Sequence, residues 1–168
     1  MNVTSETWLP IPGYPNYEAS DQGRIRSLPH EVPSRGGTRI SPGRVLKARK
    51  RADDYWQVAL YIAGKTTVKY FLVHGLVAAA HIGPRPEGFD VCHNDGDQDN
   101  NAVTNLRYAP HGQNIRDQVR HGTHAQASRT KCKYGHEWTE DNIYRHPTKG
   151  HRLCRACRRD RRRQKVAA

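Results

Sequence analysis

The clearest alternation of apolar and polar positions lies in residues 56–62, and its period of two predicts a strand with one buried face. The apolar positions are Trp56, Val58, Leu60 and Ile62. Residues 63–65 contain glycine and favour a turn, and residues 66–71 are again extended in character. The two extended segments therefore predict a β-hairpin.

A short apolar segment without this alternation follows, and its composition predicts a helix. Residues 73–81 are rich in Ala, Val and Leu and span about two turns. Gly and Pro in residues 83–88 end this helix. The next predicted elements are a strand at 90–93, a polar loop, a strand at 106–108 and a helix at 113–120.

Three other segments are marked by small and turn-forming residues. Two short extended pieces flank Asp21-Gln22-Gly23, which is a tight-turn sequence. Residues 29–43 are rich in Pro, Gly, Ser and Arg and predict a flexible basic loop. Residues 122–130 are small and polar and predict a linker. The whole pattern predicts an α+β protein.

Composition excludes some classes of protein. With 168 residues, 35% of them hydrophobic, and a mean hydropathy of −0.93, the chain favours small modules over one thick core. It has no apolar run near about 18 residues, so we expect no membrane span. Residues 1–8 lack the features of a signal peptide. We therefore expect a cytoplasmic protein, and we also expect a monomer.

The net charge of +12 is unevenly distributed along the chain. It is −2 in residues 1–31, +7 in residues 32–74, −2 in residues 75–120 and +9 in residues 121–168. Basic flanks suit a polyanion that is held at several phosphates, and an acidic centre suits a divalent cation. The alternative, an ordinary solvated surface, accounts less well for this segregation, and we expect a nucleic acid partner.

A polar motif lies between the two predicted central strands and the helix that follows them. Asn105 follows His93 after twelve residues, Asn114 follows after nine more, and Cys92 directly precedes His93. With this spacing, residues of about 70–117 resemble the His-Asn-His/Asn (HNH) homing and phage endonucleases. The resemblance implies a ββα-metal core and metal-dependent cleavage of double-stranded DNA.

The N-terminal residues 8–28 resemble the small module that precedes the HNH domain in many homing endonucleases. This resemblance is carried by Pro12-Gly13-Tyr14, by Tyr17-Glu18-Ala19-Ser20 and by Gly23-Arg24-Ile25-Arg26-Ser27. It implies a protein encoded by a phage or a mobile element, which would work in the host cytoplasm. A packaging-associated nuclease and a non-catalytic DNA-binding protein on a degenerate HNH scaffold are the alternatives.

The resemblance also implies roles for the motif residues. His93 corresponds by position to the general base. A neutral imidazole suits this role, since it accepts a proton at cellular pH. Asn105 corresponds to the residue that bridges the loop and holds the base in place. Asn114 corresponds to the residue that reaches the metal, Mg²⁺ or Mn²⁺. A calcium loop in residues 95–101 is a weaker interpretation, because the glycine and the glutamate of such loops are missing.

Cys92 departs from the family pattern. In many relatives the residue before the general base is Asp, Asn or His and binds the metal, whereas a thiolate is a soft ligand that Mg²⁺ disfavours. Three possibilities follow. Cys92 binds a softer ion such as Mn²⁺ or Zn²⁺, or the metal is held by Asn114, a nearby Asp and DNA oxygens, or the site is weak or inactive. A small buried residue on a strand is the alternative for Cys92 itself.

The C-terminal residues 131–168 carry a second candidate metal centre. Cys132 and His136 form one short-spaced pair, and Cys154 and Cys157 form another after a longer loop. Two such pairs are typical of a structural Zn²⁺ site in a reducing compartment. His146 and His151 are possible substitutes for His136. The alternative is a tail without metal.

Basic residues in three places are candidate contacts to DNA phosphates. In the N-terminal module and before the central hairpin they are Arg24, Arg26, Lys47, Arg49, Lys50 and Arg51. On a predicted C-terminal helix they are Arg155, Arg158, Arg159 and Arg162. His74 and His81 share a helix face and are expected to pack or to anchor a loop.

The sequence thus predicts five segments. They are an N-terminal module (1–31), a basic loop with a hairpin (32–71), an HNH core (72–121), a linker (122–130) and a zinc finger with an Arg-rich helix (131–168).

Overall fold

The computed structural model describes residues 5–61, 67–148 and 150–166. The chain divides into two compact units, residues 1–121 and residues 122–168. The strands of the described residues are β1 (Trp8–Ile11), β2 (Tyr14–Ser20), β3 (Ile25–Ser27), β4 (His30–Ser34), β5 (Gly37–Ser41), β6 (Arg44–Val45), β7 (Arg49–Lys50), β8 (Trp56–Tyr61), β9 (Val68–Leu72), β10 (Phe89–His93), β11 (Leu106–Pro110), β12 (Ile143–Arg145) and β13 (Arg152–Cys154). The helices are α1 (Val73–His81), α2 (His111–Arg120) and α3 (Arg155–Val166), and short 3₁₀ turns lie at Val103–Asn105 and Glu140–Asn142.

The first unit begins with a four-stranded antiparallel sheet in the order β1-β2-β3-β6. The turn predicted at Asp21-Gln22-Gly23 joins β2 to β3, as expected, and Gly23 has a φ of +86°. The sheet contributes Ile11, Tyr17 and Ile25 to the core, and each is at most 4% exposed. The apolar side chains of this sheet form one core cluster with those of the elements that follow in the first unit.

The prediction of a flexible loop at residues 29–43 is wrong. Strands β4 and β5 pair there in antiparallel register, from His30 opposite Ser41 to Ser34 opposite Gly37. Gly36 and Gly37 both have positive φ, which lets the chain reverse tightly between the strands. Side chains on β5 are largely exposed, and Ile40 is 61% exposed, so the hairpin lacks the apolar alternation that marks a half-buried strand.

The central hairpin is confirmed in the described residues. Strands β8 and β9 pair from Gln57 opposite Leu72 to Tyr61 opposite Val68, and β7 adds a third strand. Val58 and Leu60 are almost fully buried, as the alternation predicted. Ile62 and the turn predicted at 63–65 lie outside the described residues.

Helix α1 has the predicted bounds and lies between the N-terminal sheet and the strand–strand–helix core. Its buried face carries Val73, Leu76 and Val77, which join the core cluster with Leu60 and Ile25. Strands β10 and β11 pair antiparallel, with His93 opposite Leu106, and α2 follows β11 directly. The predicted α+β class, with its strand–strand–helix core, is confirmed.

Helix α2 is fixed to the β10–β11 hairpin by the buried carboxylate of Asp117. Asp117 is 3% exposed and lies between the guanidinium groups of Arg107 on β11 and Arg120 on α2 itself. Helix α2 begins at His111, two residues before the predicted start, because Pro110 ends β11 and its own φ of −57° suits a helix N-cap. The side chains of the first turn of α2 are thereby placed near the beginning of β10.

The second unit is small. It contains the β12–β13 hairpin, with Tyr144 opposite Leu153, and the Arg-rich helix α3. Residues 122–130 contain no helix or strand, but the backbone carbonyls of Gln126 and Arg129 accept hydrogen bonds from Arg152. No helix in the described part of the chain is long and apolar enough to cross a membrane.

Candidate active site and metal centre

His93 ends strand β10 and is 8% exposed. Its Nε2 lies 3.4 Å from Oδ1 of Asn101, and its ring makes an edge contact with the ring of His74 at a centroid distance of 5.2 Å. Burial lowers the pKa of His93, against the opposing effects of Asn101 and the carboxylate of Asp95. The imidazole is therefore held in the neutral form that accepts a proton.

Asn105 connects the two ends of the loop between β10 and β11. Its Oδ1 accepts a hydrogen bond from the backbone N–H of Asp95 at 3.1 Å, and its Nδ2 donates to the carboxylate of Asp95 at 2.9 Å. The same Nδ2 donates to the backbone carbonyl of Asn100 at 2.8 Å. The Asn105 side chain is 7% exposed, so these bonds are made away from water.

The acidic side chains of the β10–β11 loop form hydrogen bonds and ion pairs with other residues of the first unit. Asp97 accepts a hydrogen bond from the backbone N–H of Asp99. The carboxylate of Asp99 accepts hydrogen bonds from Nε1 of Trp56 at 2.8 Å and pairs with Nζ of Lys50 at 2.7 Å. The loop is thereby tied to strands β7 and β8, which carry Lys50 and Trp56.

Asn101 was missed in the sequence analysis, although it contacts His93. It follows another asparagine in a polar run, and nothing in that run distinguishes the residue that turns toward His93. Its neighbour on the other side is the β2–β3 turn. The backbone N–H of Val103 donates to the carbonyl of Asp21 at 2.8 Å, and Gly23 lies against the Asn101 backbone.

His74 and His81 make the packing and anchoring contacts expected of them. Nε2 of His81 lies 3.0 Å from the backbone oxygen of Ala19. His74 is 7% exposed, and within the described chain no hydrogen-bond partner reaches its Nδ1. Burial, with a smaller effect of His93, lowers the pKa of His74 to about 4.

Asn114 lies in the first turn of α2 and faces a carboxylate on β10. Its Nδ2 donates to Oδ2 of Asp90 at 3.1 Å, and Nδ1 of His111 lies 2.7 Å from the same oxygen. These two hydrogen bonds lower the pKa of Asp90, so its carboxylate is ionised at neutral pH. Asp90 was missed in the sequence analysis, because its contact with Asn114 depends on how β11 pairs with β10.

Cys92 is 2% exposed and lies opposite Arg107 in the β10–β11 pairing. Its Sγ is 3.9 Å from the backbone oxygen of Asp90. Burial raises the pKa of the Cys92 thiol, which favours the protonated form. The structure thus presents Cys92 as a small buried side chain, the alternative to the ligand assignment that the sequence left open.

Some of the candidate phosphate-binding side chains of the first unit form ion pairs with carboxylates, and others are exposed. Arg24 pairs with Glu6, Arg26 pairs with Glu18, and both guanidinium groups lie over the ring of Trp8. On and near β7, Lys50 pairs with Asp99 and Arg51 pairs with Asp53, while the side chains of Lys47 and Arg49 are exposed.

The four candidate zinc ligands lie together in the second unit. Nδ1 of His136 lies 3.6, 3.2 and 3.7 Å from the Sγ atoms of Cys132, Cys157 and Cys154, and the sulfurs of Cys132 and Cys157 are 3.6 Å apart. Ligand atoms of a tetrahedral zinc ion are separated by about 3.5–3.8 Å. Within the described residues, this is the one group of at least three His, Cys, Asp or Glu side chains whose ligand atoms all lie within 4.8 Å.

The surroundings of this cluster also suit a metal. Nε2 of His136 lies 3.6 Å from a carboxylate oxygen of Asp160 on α3, an arrangement that orients metal-bound histidines. His146 and His151, the possible substitutes for His136, stack on each other at 5.3 Å instead. The structure therefore brings together the four residues that the spacing singled out.

Helix α3 carries its basic residues on more than one face. Nε of Arg155 donates to the carbonyl of Ile143, and Arg158 lies over the ring of Tyr144 at 4.8 Å. A basic face of α3 is formed at helical spacing by Arg158, Arg161, Arg162 and Lys165. Arg159 is exposed outside this face.

Comparisons with known proteins agree with this geometry. Residues 71–116 match the family described as HNH endonuclease, and residues 6–61 match the NUMOD4 motif. The first unit is therefore an HNH domain preceded by a NUMOD4 module.

One curated protein gives a more particular comparison. The chain is 35% identical over 117 residues to the DNA endonuclease I-HmuI of Bacillus phage SP01, across 69% of this chain and 59% of that protein. A solved structure titled as DNA binding and cleavage by the HNH homing endonuclease I-HmuI matches with a TM-score of 0.54 and 34% identity. That match covers 70% of this chain and 60% of the other. The chain thus spans about three-fifths of the relative that it matches.

Proposed function

We propose that the protein is a metal-dependent endonuclease that hydrolyses phosphodiester bonds in double-stranded DNA. The observation that carries this proposal is the buried, neutral His93 at the end of β10, in an HNH domain whose loop is closed by Asn105. The similarity to I-HmuI supports DNA as the substrate and a phage or mobile element as the source. Such a protein would act in the cytoplasm of the host cell.

In this mechanism, His93 accepts the proton of the attacking water at Nδ1, because Nε2 faces Oδ1 of Asn101 and carries the proton of the neutral ring. Asn101 fixes the ring by accepting from Nε2, and Asn105 keeps the loop in the shape that presents both residues. A bound Mg²⁺ or Mn²⁺ would stabilise the negative charge that develops on the phosphate. Asn114 and the neighbouring Asp90, which lie within hydrogen-bonding distance of each other, would hold the ion through an amide oxygen and a carboxylate oxygen, the ligands that these ions prefer.

A non-catalytic DNA-binding protein is the second candidate, because Cys92 occupies the position at which many relatives place a metal ligand. The test is incubation of plasmid DNA with the protein in Mg²⁺, in Mn²⁺ and in chelator. Metal-dependent nicking or linearisation supports the nuclease. Retarded plasmid in gel shifts without any cleavage in either metal would support the binding protein.

We propose that Cys132, His136, Cys154 and Cys157 hold one structural Zn²⁺ ion. Their ligand atoms already lie at separations close to those of a tetrahedral site. Metal analysis of the purified protein should give one zinc per chain. Cys154→Ser should lower the zinc content, and Cys92→Ser is the matched control that should leave it unchanged. Equal zinc contents in the two variants would contradict this assignment.

We further propose that the zinc-bound unit holds DNA through its arginine-rich helix. Arg158 and Arg162 lie on the basic face of α3, and Arg159 is exposed beside it. On the first unit, we expect the exposed side chains of Lys47 and Arg49 to contact DNA phosphates as well. Arg24, Arg26, Lys50 and Arg51 would have to exchange a carboxylate partner for a phosphate, so we expect them to contribute less.

A further inference from the structure

A carboxylate, that of Asp90, lies two residues before Cys92 on the same strand. Side chains alternate between the two faces of a strand, so Asp90 and Cys92 share the face of β10 opposite to that of His93. Asp90 carries a carboxylate, the group that Cys92 lacks. This face is also the one that carries the contact to α2.

Chain connectivity brings Asp90 next to Asn114. Strand β11 runs antiparallel to β10 and ends opposite the start of β10, with Ala109 opposite Asp90. Helix α2 begins immediately afterwards, so its first turn lies beside Asp90. The result is the 3.1 Å contact between Oδ2 of Asp90 and Nδ2 of Asn114, the residue assigned to the metal by resemblance.

Exposure separates the two candidate ligands. The Asp90 side chain is 34% exposed, so an ion and a phosphate can reach its oxygens, whereas Cys92 is 2% exposed. The other hydrogen-bonded neighbour of the Asp90 carboxylate is His111, at 2.7 Å, which fixes the direction of the carboxylate. A carboxylate and an amide oxygen are hard ligands of the kind that Mg²⁺ and Mn²⁺ take, and a thiol is not.

We propose that Asp90, together with Asn114, binds the divalent metal ion of the nuclease site, and that Cys92 is not a ligand. In this proposal, the carboxylate ligand stands at position 90 instead of position 92, on the same face of β10. This inference rests on the proposed nuclease function for the identity of the metal, but it concerns binding of the ion and is testable without cleavage.

The test is a titration of the whole, zinc-loaded chain with Mn²⁺. Electron paramagnetic resonance measures the concentration of free Mn²⁺ at each step and so gives the affinity. Asp90→Asn should weaken Mn²⁺ binding by at least about tenfold, because it removes the charged ligand and keeps the shape of the side chain. Glu87→Gln is the matched control, since it removes one exposed negative charge just before the same strand and should leave the affinity unchanged. Circular dichroism should show that both variants fold.

Two further variants that keep Asp90 test the proposal if Asp90→Asn does not fold. Cys92→Ser should bind Mn²⁺ with wild-type affinity, because the thiol is not a ligand. Asn114→Ala, which removes the other proposed ligand and leaves Asp90 in place, should weaken Mn²⁺ binding. Wild-type affinity in a folded Asp90→Asn, or a tenfold loss in Cys92→Ser, would overturn the proposal.

The same variants separate this proposal from the proposed function. Mn²⁺ binding that depends on Asp90, in a wild-type protein that never cleaves DNA, would support the ligand assignment and refute the nuclease. Metal-dependent cleavage by a folded Asp90→Asn variant with unchanged Mn²⁺ affinity would refute the ligand assignment and support the nuclease. Absence of Mn²⁺ binding by the wild-type protein would overturn the ligand assignment directly.

Discussion

Gly23 lies so close to Asn101 that a methyl group on Gly23 would stand 2.8 Å from the carbonyl carbon of Asn101. Gly23 belongs to the β2–β3 turn of the NUMOD4 module, and Asn101 belongs to the loop of the HNH domain. Because Oδ1 of Asn101 lies 3.4 Å from Nε2 of His93, the N-terminal module supports the position of His93, the proposed general base. The two modules therefore share one site.

Gly23→Ala should displace Asn101 and lower the cleavage rate by at least about tenfold, which corresponds to about 1.4 kcal/mol in the activation free energy. Gly13→Ala is the matched control, because Gly13 also has a positive φ, +79°, but nothing lies within 4 Å of its added methyl group. Both variants should lose similar backbone stability. Equal cleavage rates for the two variants under single-turnover conditions would show that the contact does not matter.

Asn105→Ala should destabilise the fold as well as reduce activity. The substitution removes the side-chain hydrogen bonds to Asp95 and Asn100 from a buried position, at a cost of about 1–3 kcal/mol in the free energy of unfolding. Asn94→Ala, at an exposed position of the same loop, is the control and should cost less. Urea denaturation of both variants measures the difference. A larger loss in Asn94→Ala than in Asn105→Ala would argue against the bridging role.

His74 should make the stability of the protein depend on pH between about 6.5 and 4. The pKa of His74 is about 4 in the folded protein and about 6.5 in the unfolded chain. As the pH falls through this window, only the unfolded chain takes up the proton, so stability is lost by up to about 3 kcal/mol. At higher pH this contribution is fully retained.

The check is the free energy of unfolding at pH 7.5 and pH 4.5 for the wild-type protein and for His74→Phe. The variant keeps an aromatic ring against His93 but cannot bind the proton, so its loss on acidification should be smaller. Loss of the proposed zinc ion at low pH would affect both proteins and cancels in the comparison. The same acid-induced loss in both would contradict the assignment.

Removal of charges from α3 should reduce the salt dependence of DNA binding. Each phosphate contact contributes about 0.9 to the slope of log affinity against log salt concentration. Substituting Arg161 and Arg162 together by Gln should therefore lower the slope by about 1.8. Arg24→Gln with Arg26→Gln is the control and should change the slope less, because Glu6 and Glu18 already pair with these groups. A larger change in the control would place DNA on the N-terminal sheet instead.

The sequence predicted those elements whose side chains are buried on one face. The alternation through Val58 and Leu60 and the apolar segment of α1 are direct consequences of packing, so their bounds could be read from the chain. The β4–β5 hairpin could not, because both faces of β5 are exposed and only backbone pairing and two glycines define it.

The candidate site was predictable where residue type and spacing carried the information. The sequence singled out His93, Asn105 and Asn114, and the four Cys and His residues of the second unit, in this way. Asn101 and Asp90 were not, because their positions depend on how a loop closes on the β2–β3 turn and on how β11 returns Asn114 to the start of β10. Contacts of this kind require the register of the strands.

The central claim, that His93 is the general base of a metal-dependent nuclease, is tested most directly by the rate of plasmid cleavage by His93→Ala in Mg²⁺ or Mn²⁺. The variant should cleave on the order of 10²–10⁴ times more slowly than the wild-type protein and bind DNA with nearly the same affinity. His30→Ala, at a histidine that contacts the carbonyl of Leu28, is the control and should keep the wild-type rate. A cleavage rate of His93→Ala equal to that of the wild-type protein would contradict the account.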